Sequence, residues 1–254
     1  EVIEAARHGP QDDGPVGDIL IYIHGFNTPM EVMLERQRKI KTALEAQGFE
    51  VMDGEEVTEK SRSVKGADEI LAMRCASHAC ETSVQRMEDF ARTNIPLGGV
   101  SEDDIWAVMH AENIRRGGEW IETRLLTSGP RTNPWFQETT DNVIGENELI
   151  ALDTDVVGCH GYYADFSRTF HSGPDAPTDT QRELYKVAHE QVHYNMGILR
   201  PGMSFRDYAD AAWDIPERYY TNRYYLSAHG CGMTGEYPYL YHHGDFPDAG
   251  YDGV

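Results

Sequence analysis

The segment "ALDTDVVGCHGYYADFSRTFHSGP", residues 151 to 174, constrains how this chain can fold more than any other. Three aspartates, Asp153, Asp155 and Asp165, interrupt a run that is otherwise apolar and aromatic. Together with residues 148 to 150, the pattern predicts two strands of a hairpin joined near Gly158 to Gly161. Along a strand, residues two apart share a face, so Asp153 and Asp155 are expected to point the same way, with Asp165 opposite them on the returning strand. Three ionised carboxylates on one sheet face repel one another unless they are protonated or a divalent cation sits among them. From spacing alone, a cation site competes with a plainer arrangement in which these aspartates cap turns or face solvent.

A second candidate lies in "YYLSAHGCGMTGEYP", where His229 stands between a β-like run and a glycine-rich turn that would let its imidazole enter a site. Oxygen donors with one imidazole suit Mn, Fe, Co or Zn better than a thiolate site would, although a lone histidine is more often structural. The four cysteines, Cys75, Cys80, Cys159 and Cys231, have no C-x-x-C spacing and are too sparse for a disulfide scaffold, so they read as reduced core thiols.

Composition limits the partners. A formal charge of -21, from 43 acidic against 22 basic residues, repels phosphate backbones and anionic lipid, which argues against nucleic-acid and membrane-surface binding. The 40% hydrophobic content of the 254 residues suffices for one large domain or two smaller ones. No apolar run approaches the roughly 20 residues of a membrane span, and the opening "EVIEAARHGP" has no signal-peptide pattern; a soluble, cytoplasmic protein is expected. The sequence starts at Glu1 without a methionine and stops at Val254 after a loop-like stretch, so a fragment open at both ends is also expected.

Residues 17 to 29 predict a strand, 30 to 50 a helix closed by Gly48, and 49 to 57 a returning strand, which together make a short βαβ segment. A long amphipathic helix follows within 58 to 93, with Asp68 and Glu69 near its start. Ser101 and Asp104 form the capping signature of a helix over 101 to 118. Residues 119 to 130 read as one strand, 178 to 199 as a strong helix, and 204 to 220 as another helix. No internal repeat is present.

An aspartate, a second one ten residues later, and much later a histidine in "AHGCG" form an order that resembles the pita-bread metalloenzymes, the family of methionine aminopeptidase, prolidase, aminopeptidase P and creatinase. The stretches "GFEVMDGEEVTEKSRSVKGADEILAMRCASHACETSV", "VSEDDIWAVMHAENIRRGGEWIETRLLTSGPRTNPWFQ" and "ALDTDVVG" are most similar to the bacterial dimethylsulfoniopropionate lyase branch, with a resemblance over about residues 44 to 254. It implies an α+β, incomplete pita-bread (creatinase/aminopeptidase) fold preceded by the short βαβ segment. The catalytic domain would run over 50 to 254 and be truncated at its C-terminus. It also implies a site for two divalent ions (Fe, Mn, Zn or Co), with Asp155 and Asp165 as the bridging-type pair, His229 as the imidazole ligand and Asp153 as the extra aspartate of the lyase branch. Tyr224 matches a substrate-contacting position, and two glutamate ligands would fall beyond Val254. A homodimer acting on a small molecule is implied, with weak metal binding and little activity for a chain holding only four of the ligands.

Departures from the pattern bear on the reaction. The peptidases place a second histidine seven residues after the ligand histidine, where this chain has Glu236, and another near Phe136 or Gln137. The lyase base would be an aspartate six residues after His229, where this chain has Gly235. Glu236 is the adjacent replacement base, in competition with a structural or ligand-orienting role. The expected function is a metal-dependent, lyase-like cleavage of dimethylsulfoniopropionate or a related small carboxylate by base-assisted β-elimination. A hydrolase of the Xaa-Pro aminopeptidase or prolidase type and an inactive pita-bread module are the alternatives. Residues 17 to 49 instead resemble the start of an α/β-hydrolase, with His24, Gly25 and Phe26 as its oxyanion loop. No G-x-S-x-G elbow accompanies them, so a plain strand and surface helix is preferred, and residues 1 to 49 are set apart as a segment joined near "LEAQGFE" (44 to 50).

Overall fold

A computed structural model describes residues 29 to 52, 54 to 242 and Asp245. The strand expected before residue 29, with His24, Gly25 and Phe26, lies outside the described residues. The chain divides into two compact units, Glu1–Thr58 and Glu59–Val254.

In the first unit, helix α1 (Met30–Glu45) follows Pro29. It closes as expected at Gly48, whose φ of 87° lets the Phe49 N–H reach the Leu44 carbonyl at 3.2 Å. The expected returning strand does not form: residues 49 to 52 are irregular, and α2 (Glu55–Ser63) is a helix with Lys60 and Arg62 in its last turn. Basic groups at a helix C-terminus favour that outcome, and "EEVTEKSRS" lacks the alternation that would have held a strand.

The second unit is built on α3 (Ala67–Asn94) and α4 (Glu102–Arg115). On α3, Ala72, Ala76, Ala79, Cys80, Ser83, Val84, Met87 and Ala91 are buried at helical spacing. Helix α4 is capped as expected: the Ser101 N–H donates to Asp104 Oδ2 (2.9 Å) and the Asp104 N–H donates to Ser101 Oγ (3.1 Å). Met87, Ile105, Met109, Leu126, Ile150, Leu152 and Val156 form the centre of the core, where these helices meet the strands.

Six short strands follow: β1 (Trp120–Ile121), β2 (Leu126–Ser128), β3 (Leu149–Asp153), β4 (Val156–Val157), β5 (Tyr163–Ala164) and β6 (Ser167–His171). They form two antiparallel sheets, ordered β2-β3-β6 and β1-β4-β5. The single strand expected over 119 to 130 is therefore broken, and its two ends serve different sheets. The expected hairpin is present, with Asp153 opposite Ser167 and Val156 opposite Ala164, but it is interrupted midway. Thr154, fully buried, stitches the gap by accepting the Phe166 N–H (2.9 Å) and donating to the Ala164 carbonyl (3.0 Å).

The helix expected over 178 to 199 is α5 (Asp179–Ile198), capped by Thr178, whose Oγ1 accepts the Gln181 N–H. The single helix expected across 204 to 220 is two, α6 (Phe205–Ala211) and α7 (Glu217–Tyr220), because Ala212 turns extended and Pro216 can only precede a new helical start. An antiparallel hairpin, β7 (Leu226–Cys231) with β8 (Gly235–Tyr241), packs Leu240 against Tyr208 and Ala209 of α6. Among the described residues, no helix is long and apolar enough to cross a membrane.

Candidate functional site

The break in the β3–β6 hairpin builds the site. Strand β3 ends at Asp153, and Asp155 takes a left-handed φ of 37°, a conformation aspartate tolerates better than bulkier residues. The aspartates therefore converge because the strand is interrupted, and not by the uninterrupted alternation the sequence suggests. Asp153, Asp155 and Asp165 line an open cavity of about 610 Å³, with His229 from β7 on the same wall. Tyr224 also lines it, edge-on to Phe136 at 5.1 Å between ring centroids.

Burial and mutual repulsion dominate the electrostatics. Burial first, then the negative charges of Asp165 and Asp155, push the Asp153 carboxyl up to about 7, even though Ser167 Oγ donates to it at 3.1 Å. Burial also raises Asp155, whose Oδ2 accepts from Thr123 Oγ1 at 2.6 Å. His229 Nε2 stands 3.3 Å from Asp165 Oδ2, and that hydrogen bond holds the imidazole above its ordinary pKa. The other ring nitrogen, Nδ1, lies 2.7 Å from the Gly230 carbonyl, which suits an Nδ1–H donor and leaves Nε2 to face the carboxylates. The Tyr224 hydroxyl is raised well above the usual tyrosine range by burial and its Tyr225 neighbour, so it stays a protonated donor.

Glu236 does not join this cavity. Its side chain is 1% exposed and is ion-paired with Lys65 Nζ, while Arg62 Nε stands 3.4 Å from Oε2 without hydrogen-bond alignment. Strand alternation argues against the expected role of Glu236 as a base: at Gly235 a side chain would face His229, with a Cβ 3.5 Å from Cε1, and the next residue faces away. Glu122, absent from the sequence reading, does line the cavity, and the Tyr163 hydroxyl donates to its Oε2. It is placed there by the break between β1 and β2, which a continuous strand over 119 to 130 conceals.

Three crowded carboxylates and one imidazole are a donor set that a divalent cation would satisfy, since its charge relieves the repulsion that raises Asp153. As the side chains stand, His229 pairs with Asp165 while Asp155 and Asp153 accept from Thr123 and Ser167, and among the described residues no three His, Cys, Asp or Glu groups are gathered closely enough to hold an ion.

Residues 71 to 251 match metallopeptidase family M24. The chain is 51% identical over 211 residues to the dimethylsulfoniopropionate lyase DddP of Roseovarius nubinhibens, a match covering 83% of this chain and 46% of that protein. It is 51% identical over 198 residues to the lyase DddP of Roseobacter denitrificans, covering 77% of this chain and 44% of that one. The chain thus spans about half the length of the curated relatives it matches. Among solved structures, the X-Pro aminopeptidase from Thermotoga maritima superposes with a TM-score of 0.69 at 20% identity, over 84% of this chain and 58% of that one. The fold is the expected α+β pita-bread arrangement. Because the match runs from α3 through the β7–β8 hairpin that carries His229, the chain belongs to metallopeptidase family M24, a family of divalent-metal enzymes.

Proposed function

We propose that this site belongs to a metal-dependent, lyase-like enzyme that splits dimethylsulfoniopropionate, or a related small carboxylate, into dimethyl sulfide and acrylate by β-elimination. The observation that carries the reading is the convergence of Asp153, Asp155, Asp165 and His229 on one open cavity, in a chain 51% identical to a lyase of that substrate. In this reading the three aspartates and His229 Nε2 hold two divalent ions, of Fe, Mn, Zn or Co. When bound, the metal supplies positive charge that neutralises the substrate carboxylate. The protonated Tyr224 hydroxyl donates to that carboxylate. Trp135 and Phe136 present an aromatic wall suited to a sulfonium cation, whose charge is attracted by ring faces. With Glu236 turned away and glycine at 235, Glu122 is the carboxylate of the wall left to take the proton beside the substrate carboxylate.

The test is protein expressed from the intact native reading frame, supplied with iron, manganese or zinc in turn. Dimethyl sulfide and acrylate released in equal amounts are expected; neither product with any metal refutes the substrate. Membership of a metallopeptidase family keeps Xaa-Pro hydrolysis as the second reading, and proline released from dipeptides in place of sulfide would favour it. A homodimer belongs to the proposed reading too, measured by light scattering.

A further inference from the structure

The function proposed above uses none of the cysteines, and the expectation of core thiols holds fully only for Cys80. Cys75 is exposed on α3, and Cys159 is half-buried in the turn that joins β4 to β5. That turn sits directly on the helix. A Cβ at Gly158 would stand 2.3 Å from Ala76 Cβ and 2.6 Å from Ala76 Cα, so only glycine allows so close an approach. Cys159 Sγ lies 3.6 Å from the Ala72 carbonyl, and the Tyr162 hydroxyl donates to Glu69 Oε1 at 2.8 Å. Cys75 lies on α3 between Ala72 and Ala76, so the helix residues that Cys159 and Gly158 touch flank it on either side, and Cys75 is among the neighbours that raise the Cys159 thiol. Histidines 78 and 160 are near in sequence, yet among the described residues no group of three His, Cys, Asp or Glu is gathered as a metal would need. Chemistry between the two sulfurs is what the pair offers.

We propose that Cys75 and Cys159 are a reversible disulfide site, closed by hydrogen peroxide and opened by a dithiol. The exposed Cys75 sulfur is the one peroxide reaches. As thiolate it attacks one peroxide oxygen, the O–O bond breaks, hydroxide leaves, and Cys75 is oxidised by two electrons to a sulfenic acid. The Cys159 sulfur then attacks the Cys75 sulfur. The S–S bond forms, the S–O bond breaks, and the departing hydroxide leaves as water with the Cys159 proton. In sum, two thiols and one peroxide give one disulfide and two waters. Burial raises the Cys159 thiol above its ordinary pKa, which suits the resolving role better than the attacking one. The closed bond would tie α3 to the far end of the strands that lead to Asp155 and Asp165.

The test needs no catalytic activity, so it is independent of the lyase reading. The full chain, metal-free and dilute, is treated with hydrogen peroxide, alkylated, digested and mapped by mass spectrometry, before and after dithiothreitol. A linked peptide joining Cys75 to Cys159, lighter by two hydrogens and fully reversed by dithiothreitol, is expected. In Cys159→Ser, the fraction of Cys75 that dithiothreitol restores should fall about tenfold, because an unresolved sulfenic acid runs on to sulfinic acid. The proposal is overturned if wild-type Cys75 reaches sulfinic acid with no link to Cys159, or if it pairs mainly with another cysteine.

Discussion

A carboxyl pushed up to about 7, as at Asp153, is a stability statement as well as a site marker. Its folded pKa lies above its ordinary 3.8, so the stability it contributes is fully present below that value and is lost as pH rises through about 7. Metal-stripped chain should accordingly be more stable at pH 5.5 than at pH 8, by about 2 kcal/mol through Asp153. Carboxylates lowered by their hydrogen bonds, such as Asp104, titrate beneath that window. Denaturant melts at the two pH values check this, and Asp153→Asn should remove its share of the difference and leave a smaller one of the same sign from Asp155 and His229, both also raised; greater stability at pH 8 would contradict it. Gly235 allows a second prediction at the same scale. Its backbone is not left-handed and a Cβ there meets only the His229 ring at 3.5 Å, so Gly235→Asp should fold normally. If an aspartate at this position serves as base, elimination should rise by roughly 100-fold or more, while Glu122→Gln should lower it by a similar factor in the parent protein. Unchanged dimethyl sulfide release in both variants would remove the base assignment. The sequence alone pointed to Asp153, Asp155, Asp165, His229 and Tyr224, which the structure brings to one cavity. It could not point to Glu122 or Thr123, because nothing local announces that residues 122 to 125 leave one sheet for another.

The β7–β8 hairpin that presents His229 is held from behind, at Glu236. Lys65, in the link between α2 and α3, carries the only hydrogen bond to that carboxylate among the described residues; the nearby Arg62 is poorly aligned. Lys65→Met should therefore cost about 3 to 5 kcal/mol, since it leaves a buried charge without its main partner. Restoring neutrality with a second change, Glu236→Gln, should recover part of the loss, and a double-mutant cycle in denaturant measures the coupling. Additive effects would show that the pair does not hold the hairpin. Elements of this kind divide sharply in how readable they were. Caps are local, so Ser101 with Asp104 announced its helix correctly. Strand breaks are not local. The interruption at Thr154 depends on a hydroxyl that bonds the facing strand, and the division at 121 to 126 depends on which neighbour each half pairs with. The returning strand expected after α1 failed for a local reason instead, since "EEVTEKSRS" lacks strand alternation and places Lys60 and Arg62 where a helix ends.

At the scale of the whole molecule, two surface properties oppose each other. The formal charge of -21 keeps copies of the chain apart, while α5 leaves Leu184, Tyr185, Val192, Tyr194 and Met196 exposed and buries only Asn195. Apolar side chains gathered on one helix of 20 residues favour association once the charge is screened. Salt of about 0.5 M shortens the Debye length to roughly 4 Å, which removes most long-range repulsion but leaves apolar contacts intact. The chain should therefore associate more strongly as salt is raised, the reverse of what an interface of ion pairs would do. Sedimentation of the 28.7 kDa chain across a salt series reads this directly. Replacing Val192 and Met196 by lysine should abolish the association through lost apolar contact and a new like-charge pair across any self-complementary interface. Association that persists in that variant would place the contact elsewhere, and association that weakens with salt would make it electrostatic.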